Sequence, residues 1–153
     1  MKKFKSINLI IIFLLFISCG YSPLYKDVSN VNFSITLNEV KGNRTVNNLI
    51  KTKLNTYNSN DAERKYAIDI NTKYIKDIIA KDTTGAATEY KLTINASFKV
   101  SSNNYEREFL FKESFNMKSI SDKLDEQDYE EDIQSNLVNI VTRKLILQLH
   151  LAK

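Results

Sequence analysis

Apolar and polar residues alternate strictly from Val31 to Leu37, with Val31, Phe33, Ile35 and Leu37 on one side and Asn32, Ser34 and Thr36 on the other. A period of two predicts a half-buried strand. From Asn43 to Tyr57 the period lengthens: Val46, Leu49, Ile50, Leu54 and Tyr57 fall at helical spacing, with Asn43 or Thr45 placed to cap the first turn. The polar stretch Asn58 to Asp61 ends that helix. Arg64 to Lys81 opens with Tyr66, Ile68 and Ile70 in phase, then pairs Tyr74 with Ile75 and Ile78 with Ile79. Such a slip predicts a strand interrupted by a bulge.

Asp82 to Thr88 supplies a turn around Gly85. The next strand, Glu89 to Val100, sends Tyr90, Leu92, Ile94, Ala96, Phe98 and Val100 inward, and Lys91, Thr93, Asn95, Ser97 and Lys99 outward. A fourth strand follows over Tyr105 to Phe115, with Tyr105, Phe109, Phe111 and Phe115 in register. Ser119 and Asp122 have the spacing of a capping box. They precede a long helix whose stripe runs through Tyr129, Ile133, Leu137, Ile140, Val141 and Leu147. The elements predict an α+β fold of order β-α-β-β-β-α, a four-stranded, mostly antiparallel sheet with two helices packed on one face.

The N-terminus follows a different logic. Lys2, Lys3 and Lys5 precede an apolar run, Ile7 to Ile17, that stops before Gly20, Ser22 and Pro23. A membrane-spanning helix needs about 20 apolar residues, whereas a charged start, a short apolar core and small residues at a cut site are the anatomy of a secretory signal. Cleavage after Ser18 makes Cys19, the sole cysteine, the first residue of the mature chain. The stretch Phe16 to Cys19 resembles a lipobox, although Phe16 stands where leucine is usual, and predicts a lipid-modified Cys19. An ordinary signal peptide would instead leave a free thiol with no partner in the chain. The division expected is a signal over 1–18, a lipidated tether over 19–30 that contains the only proline, and one domain over 31–153.

Charge excludes one class of function. The full chain carries a formal net charge of +4, but three of its lysines leave with the signal, and the mature part is close to neutral. Nucleic-acid binding wants a clustered cationic excess, and none is present. No catalytic constellation stands out either. The single histidine, His150, lies near the C-terminus, where little would hold a nucleophile or carboxylate beside it. The acidic run Asp125 to Asp132 lacks the ligand spacing and central glycine of a calcium loop, and is better read as acids favoured by the dipole in the first turns of a helix. The expectation is a protein that is not an enzyme, with no metal and no cofactor.

Three stretches taken in order, CGYSPLY after the signal, DTTGAATEYKLTINASFKV from Asp82 to Val100, and SDKLDEQDYEEDIQSNLVNIVTRKLILQL, resemble the LPS-assembly lipoprotein LptE family over nearly all of the mature chain. The resemblance implies an outer-membrane lipoprotein on the periplasmic face that sits in the lumen of an LptD-type β-barrel, helps to assemble it, and contacts lipopolysaccharide. The outward polar face of the third strand suits a barrel lumen, and equally suits water. A freestanding lipoprotein that binds an amphiphile or another envelope protein is the alternative, and an anchored hydrolase a weaker third. Topology places Lys81, Lys91, Lys118 and Lys123 together at one end of the fold, where their ammonium groups could pair with phosphates. If the first strand runs parallel to the second, the chain enters at the opposite end. The resemblance adds weight to Lys81, just before the hairpin, and to Lys123, just ahead of the acidic run.

Overall fold

The computed structural model describes residues 33–59, 62–103 and 105–152. The signal, Cys19, the tether and Val31 of the first predicted strand lie outside them. The chain divides into two units, and the second, Asn32–Lys153, holds all the elements that follow. They run β1 (Phe33–Gly42), α1 (Arg44–Leu54, continued by a 3-10 turn over Asn55–Tyr57), β2 (Arg64–Lys81), β3 (Ala87–Ser102), β4 (Tyr105–Lys118) and α2 (Lys123–Leu151). One sheet of order β1-β2-β3-β4 results, with β1 parallel to β2 and the other pairs antiparallel. The expected α+β order is present, and the sheet is mixed.

Both helices pack on the same side of the sheet and against each other. The apolar positions of β2 and β3, Ile68, Ile70, Leu92, Ile94, Ala96, Phe98 and Val100, are buried beneath Val46, Ile50 and Leu54 of α1 and Leu137, Val138, Val141, Leu145 and Leu149 of α2. Each large side chain withdrawn from water in this way contributes about 1.5–3 kcal/mol. The other side of the sheet carries no helix and is predominantly polar. Asn71, Lys73, Lys91, Asn95, Ser97, Lys99, Lys112, Ser114 and Lys118 share it by strand register.

The junction between β1 and α1 is tightly determined. Gly42 has φ +100 and pairs with Thr72, and a Cβ built on it would stand 1.9 Å from the Thr72 carbonyl oxygen. That close approach lets the Asn43 N–H donate to the same oxygen (3.1 Å). Asn43 then caps α1 by accepting from the Val46 N–H (3.0 Å). Asn47, buried on the first turn, donates to the Lys41 carbonyl (3.0 Å) and accepts from the Thr72 hydroxyl (2.7 Å). A buried amide is thus satisfied from both strands, as burial of a polar group requires.

Several sequence expectations shift in detail. β1 continues five residues past Leu37, because a bulge between Leu37 and Val40 breaks the alternation. The Glu39 N–H released there donates to Asp69 (3.1 Å). The β2 irregularity lies after Ile78, while Tyr74 and Ile75 remain in register with β3; Ile75 simply faces the side without helices. β4 extends to Lys118, and its buried end is Met117, with Phe115 left 43% exposed. Asp122 caps α2, accepting from Leu124 (2.8 Å) and Asp125 (3.3 Å), so Ser119 forms no capping box with it. The inward stripe of α2 holds Ile133, Leu137 and Val141 as expected, but Tyr129 and Leu147 point outward and Ile140 is half-buried.

Candidate functional site

The end of the sheet where β2, β3 and α2 meet is built by two sets of hydrogen bonds. In the hairpin, the Asp82 carboxylate accepts from the Thr84 hydroxyl (2.7 Å) and from the N–H groups of Thr84 (2.8 Å) and Ala86 (3.0 Å). An Asx-type turn of this kind suits aspartate. The Thr84 hydroxyl foremost, with the backbone N–H groups, holds this carboxyl below its usual range. Gly85 supplies the positive φ (+88) in open space. Ser119 then donates its N–H to the Thr88 carbonyl (2.8 Å), extending the β3–β4 ladder to the foot of α2.

The second set fastens α2 to the sheet. Glu126, buried in the first turn, accepts from the Ser119 hydroxyl (2.6 Å) and the Ile120 N–H (3.0 Å), with Lys123 Nζ at 3.4 Å. Glu130, one turn on, accepts from the Tyr74 hydroxyl (2.6 Å) and from Lys76 Nζ (2.6 Å). Lys76 in turn lies 4.3 Å from the centre of the Tyr90 ring and 3.9 Å from Glu126. Both carboxyls are held below their ordinary value. For Glu126 the Ser119 hydroxyl is the main cause, followed by the Ile120 N–H. For Glu130 burial pushes upward, and the hydrogen bonds from Lys76 and Tyr74 together outweigh it. Burial, reinforced by Glu130, raises the Tyr74 hydroxyl far above the usual tyrosine range.

A carboxyl whose folded pKa is depressed stabilises the fold above its unfolded pKa, and that stability is lost as pH falls through the folded value. Thermal stability should therefore be flat from neutrality down to about pH 4.5, the ordinary glutamate value, and decline below it. Glu126→Gln should lower stability at pH 7 by about 1.5–3 kcal/mol, the usual worth of hydrogen bonds to a charged group, and flatten the acid limb of a melting-temperature profile. An acid limb unchanged by the substitution would contradict this assignment.

The four lysines singled out in the sequence all lie at this end, and β1 is parallel to β2, with Phe33 paired to Arg64 at the other end. Their distribution is uneven. Lys91 pairs with Asn116 and Lys118 with Glu89 on adjacent strands, a diagonal relation of about 7–8 Å on the side without helices. Lys81 closes β2 opposite Ala87 at the tip. Lys123 stands on the helix side, exposed, and leans on Glu126. The end is thus cationic on two faces rather than one patch. Lys91 and Lys118 also have acidic neighbours in register, Asp77 and Glu89.

Sequence reasoning missed the group formed by Tyr74, Lys76, Glu126 and Glu130. A signal for it was present: Glu126 and Glu130 stand seven and three residues before Ile133, on the same helical stripe. A shallow cavity of about 350 Å³ lies away from the lysines, on the polar side of the sheet between Lys73, Asn95, Ser97, Leu110 and Lys112. Among the described residues no His, Cys, Asp and Glu cluster could hold a metal ion, and no helix is long and apolar enough to cross a membrane. His150 is exposed in the last turn of α2. The chemistry on offer at the basic end is recognition of anions by exposed ammonium groups on a firmly braced frame.

A family model described as LptE, lipopolysaccharide-assembly, matches residues 29–149. Among solved structures, rare lipoprotein B from Shewanella oneidensis is similar with a TM-score of 0.53 at 14% identity, over 74% of this chain and 92% of that one. Lipoprotein B from Nitrosomonas europaea gives a TM-score of 0.50 at 15% identity, over 78% and 86%. At such identities the likeness speaks to the fold alone. No curated protein matches the chain in sequence.

Proposed function

The chain belongs to the LptE lipopolysaccharide-assembly family, and we propose that it is an outer-membrane lipoprotein, lipidated at Cys19, that seats in the lumen of an LptD-type β-barrel, helps to assemble that barrel, and contacts lipopolysaccharide in transit. The role is recognition rather than catalysis. The observation that carries the reading is the family match, which spans the whole of the sheet and nearly all of α2. The polar side of the sheet supports it, because large barrels have polar interiors and a face of Lys, Asn and Ser offers such walls hydrogen-bonding groups. Thirteen residues lie between Cys19 and Phe33, a reach of at most roughly 50 Å if extended. Phe33, where the described fold begins, lies at the end of the sheet opposite the lysines.

In this reading Lys81, Lys91, Lys118 and Lys123 meet the phosphates of lipopolysaccharide through charge-assisted hydrogen bonds. Replacing both Lys81 and Lys123 with glutamate should weaken binding of purified lipopolysaccharide more than tenfold, about 1.4 kcal/mol. Measurement at low ionic strength gives the largest effect. Lys81→Glu alone should leave the melting temperature in place, since that side chain is exposed, whereas Lys123→Glu removes the contact with Glu126 and sets two acids three residues apart, so the double variant should melt slightly lower. A double variant that binds as tightly as the parent would remove this end as the contact.

A further inference from the structure

The sheet ends in two edges of different character. The β1 edge is short and broken by the bulge between Leu37 and Val40, a common way of making an edge unable to template another strand. β4 has no such device: its fourteen residues pair with β3 without a single register shift. Its outer row of backbone groups is therefore regular and long, the condition under which an edge accepts a further strand.

The sequence of β4 says which strand fits. Around Leu110, the segment YEREFLFKESF is complementary to its own reverse. If two copies meet antiparallel about a two-fold axis through Leu110, Glu108 faces Lys112 of the other copy on the polar side. On the helix side Arg107 faces Glu113, Phe109 faces Phe111, and Tyr105 faces Phe115. By symmetry each pair occurs twice and no like charges meet. Neighbouring registers lose this match: centred on Lys112, two lysines oppose each other, and centred on Phe111, Arg107 meets Phe115 and Lys112 meets Leu110. Directly opposed charges of opposite sign stabilise such a ladder, and like charges destabilise it.

Glu108, Leu110 and Lys112 are exposed, while Phe109 is already buried within its own fold. Leu110 is 73% exposed; Glu108 gives one oxygen to the Ser97 hydroxyl and Glu113 one to Lys144, which leaves each a second. Phe109 and Phe111 already stack within one strand, 6.3 Å apart and nearly parallel. We propose that β4 is a self-pairing edge, through which two copies of this chain that are not seated in a barrel join their sheets isologously about Leu110. A seam of two edge strands falls short of the area of a standard interface, so the association is weak and is caught best by covalent trapping.

Opposed residues in an antiparallel ladder have Cβ atoms about 4.5–5.5 Å apart, close to what a disulfide needs. Full-length Leu110→Cys, produced without an LptD-type barrel, held in mild detergent and treated with a mild oxidant, should yield at least tenfold more covalent dimer than Lys41→Cys on the β1 edge or than the parent chain. Adding Lys112→Glu should cut the yield at least tenfold, and adding Glu108→Lys to that should restore it. Dimer no more abundant than with Lys41→Cys, a yield indifferent to the charge reversals, or a main adduct whose mass is not twice that of the chain would overturn the proposal. These substitutions lie at exposed positions, and an unchanged melting temperature separates lost pairing from lost folding.

Discussion

Leu137→Asp should abolish cooperative folding of the domain. Leu137 is 4% exposed, in the middle of α2, on the stripe that carries Ile133, Val138 and Val141 over the sheet. Truncating a buried leucine to alanine removes about 2–5 kcal/mol by itself. Aspartate adds a buried carboxylate, and an uncompensated buried charge costs about 3–5 kcal/mol more. The combined loss matches the whole stability of an ordinary domain, about 5–15 kcal/mol. A circular-dichroism melt should show no transition for Leu137→Asp and a lowered but cooperative one for Leu137→Ala. A Leu137→Asp protein melting within a few degrees of the parent would mean that this side of α2 does not face the core.

The second large effect is at Gly42. Alanine there meets two separate penalties: a positive φ that L-residues disfavour by about 1–2 kcal/mol, and a Cβ 1.9 Å from a carbonyl oxygen, which forces β1 and β2 apart at a cost of about 1–3 kcal/mol. The displaced strand also carries the Thr72 hydroxyl that bonds the buried Asn47. Gly42→Ala should therefore lose about 2–5 kcal/mol in a denaturant titration. Gly85→Ala provides the internal contrast, for its φ is also positive but nothing lies within 4 Å, and only the first penalty applies. Equal losses at the two positions would show that the close approach to Thr72 contributes nothing.

The contrast between these glycines also marks how far the sequence could be read. Gly85 sits among Asp82, Thr83 and Thr84, so local chemistry announces its turn. Gly42 is needed because a strand thirty residues away passes against it, and no local pattern reports that. The middle strands of the sheet were legible from local pattern, as the Gly85 turn was: in β3 the apolar residues share one face, and alternation follows. β4 and α2 were less so. At the sheet edge one side of Phe115 meets solvent, and the long helix turns its stripe enough that Tyr129 and Leu147 fall outside the core. The basic end could be placed from topology alone, since hairpin connections fix where Lys81, Lys91, Lys118 and Lys123 must gather. Their division between two faces depended on register, and the brace of Glu126 and Glu130 against Lys76 and Tyr74 depended on contacts across more than forty residues. A run of acids in the first turns of a helix hid two that point inward.

The central claim is that this chain works inside an LptD-type barrel. The lipidated full-length protein, extracted from its own membranes in mild detergent and purified by an affinity tag, tests it most directly, with the co-purifying material identified by mass spectrometry and quantified. The account predicts an LptD-type outer-membrane β-barrel in equal amount that survives extensive washing. Recovery of the tagged protein without such a barrel, alone or with sub-stoichiometric partners lost on washing, would contradict it and favour a freestanding envelope lipoprotein.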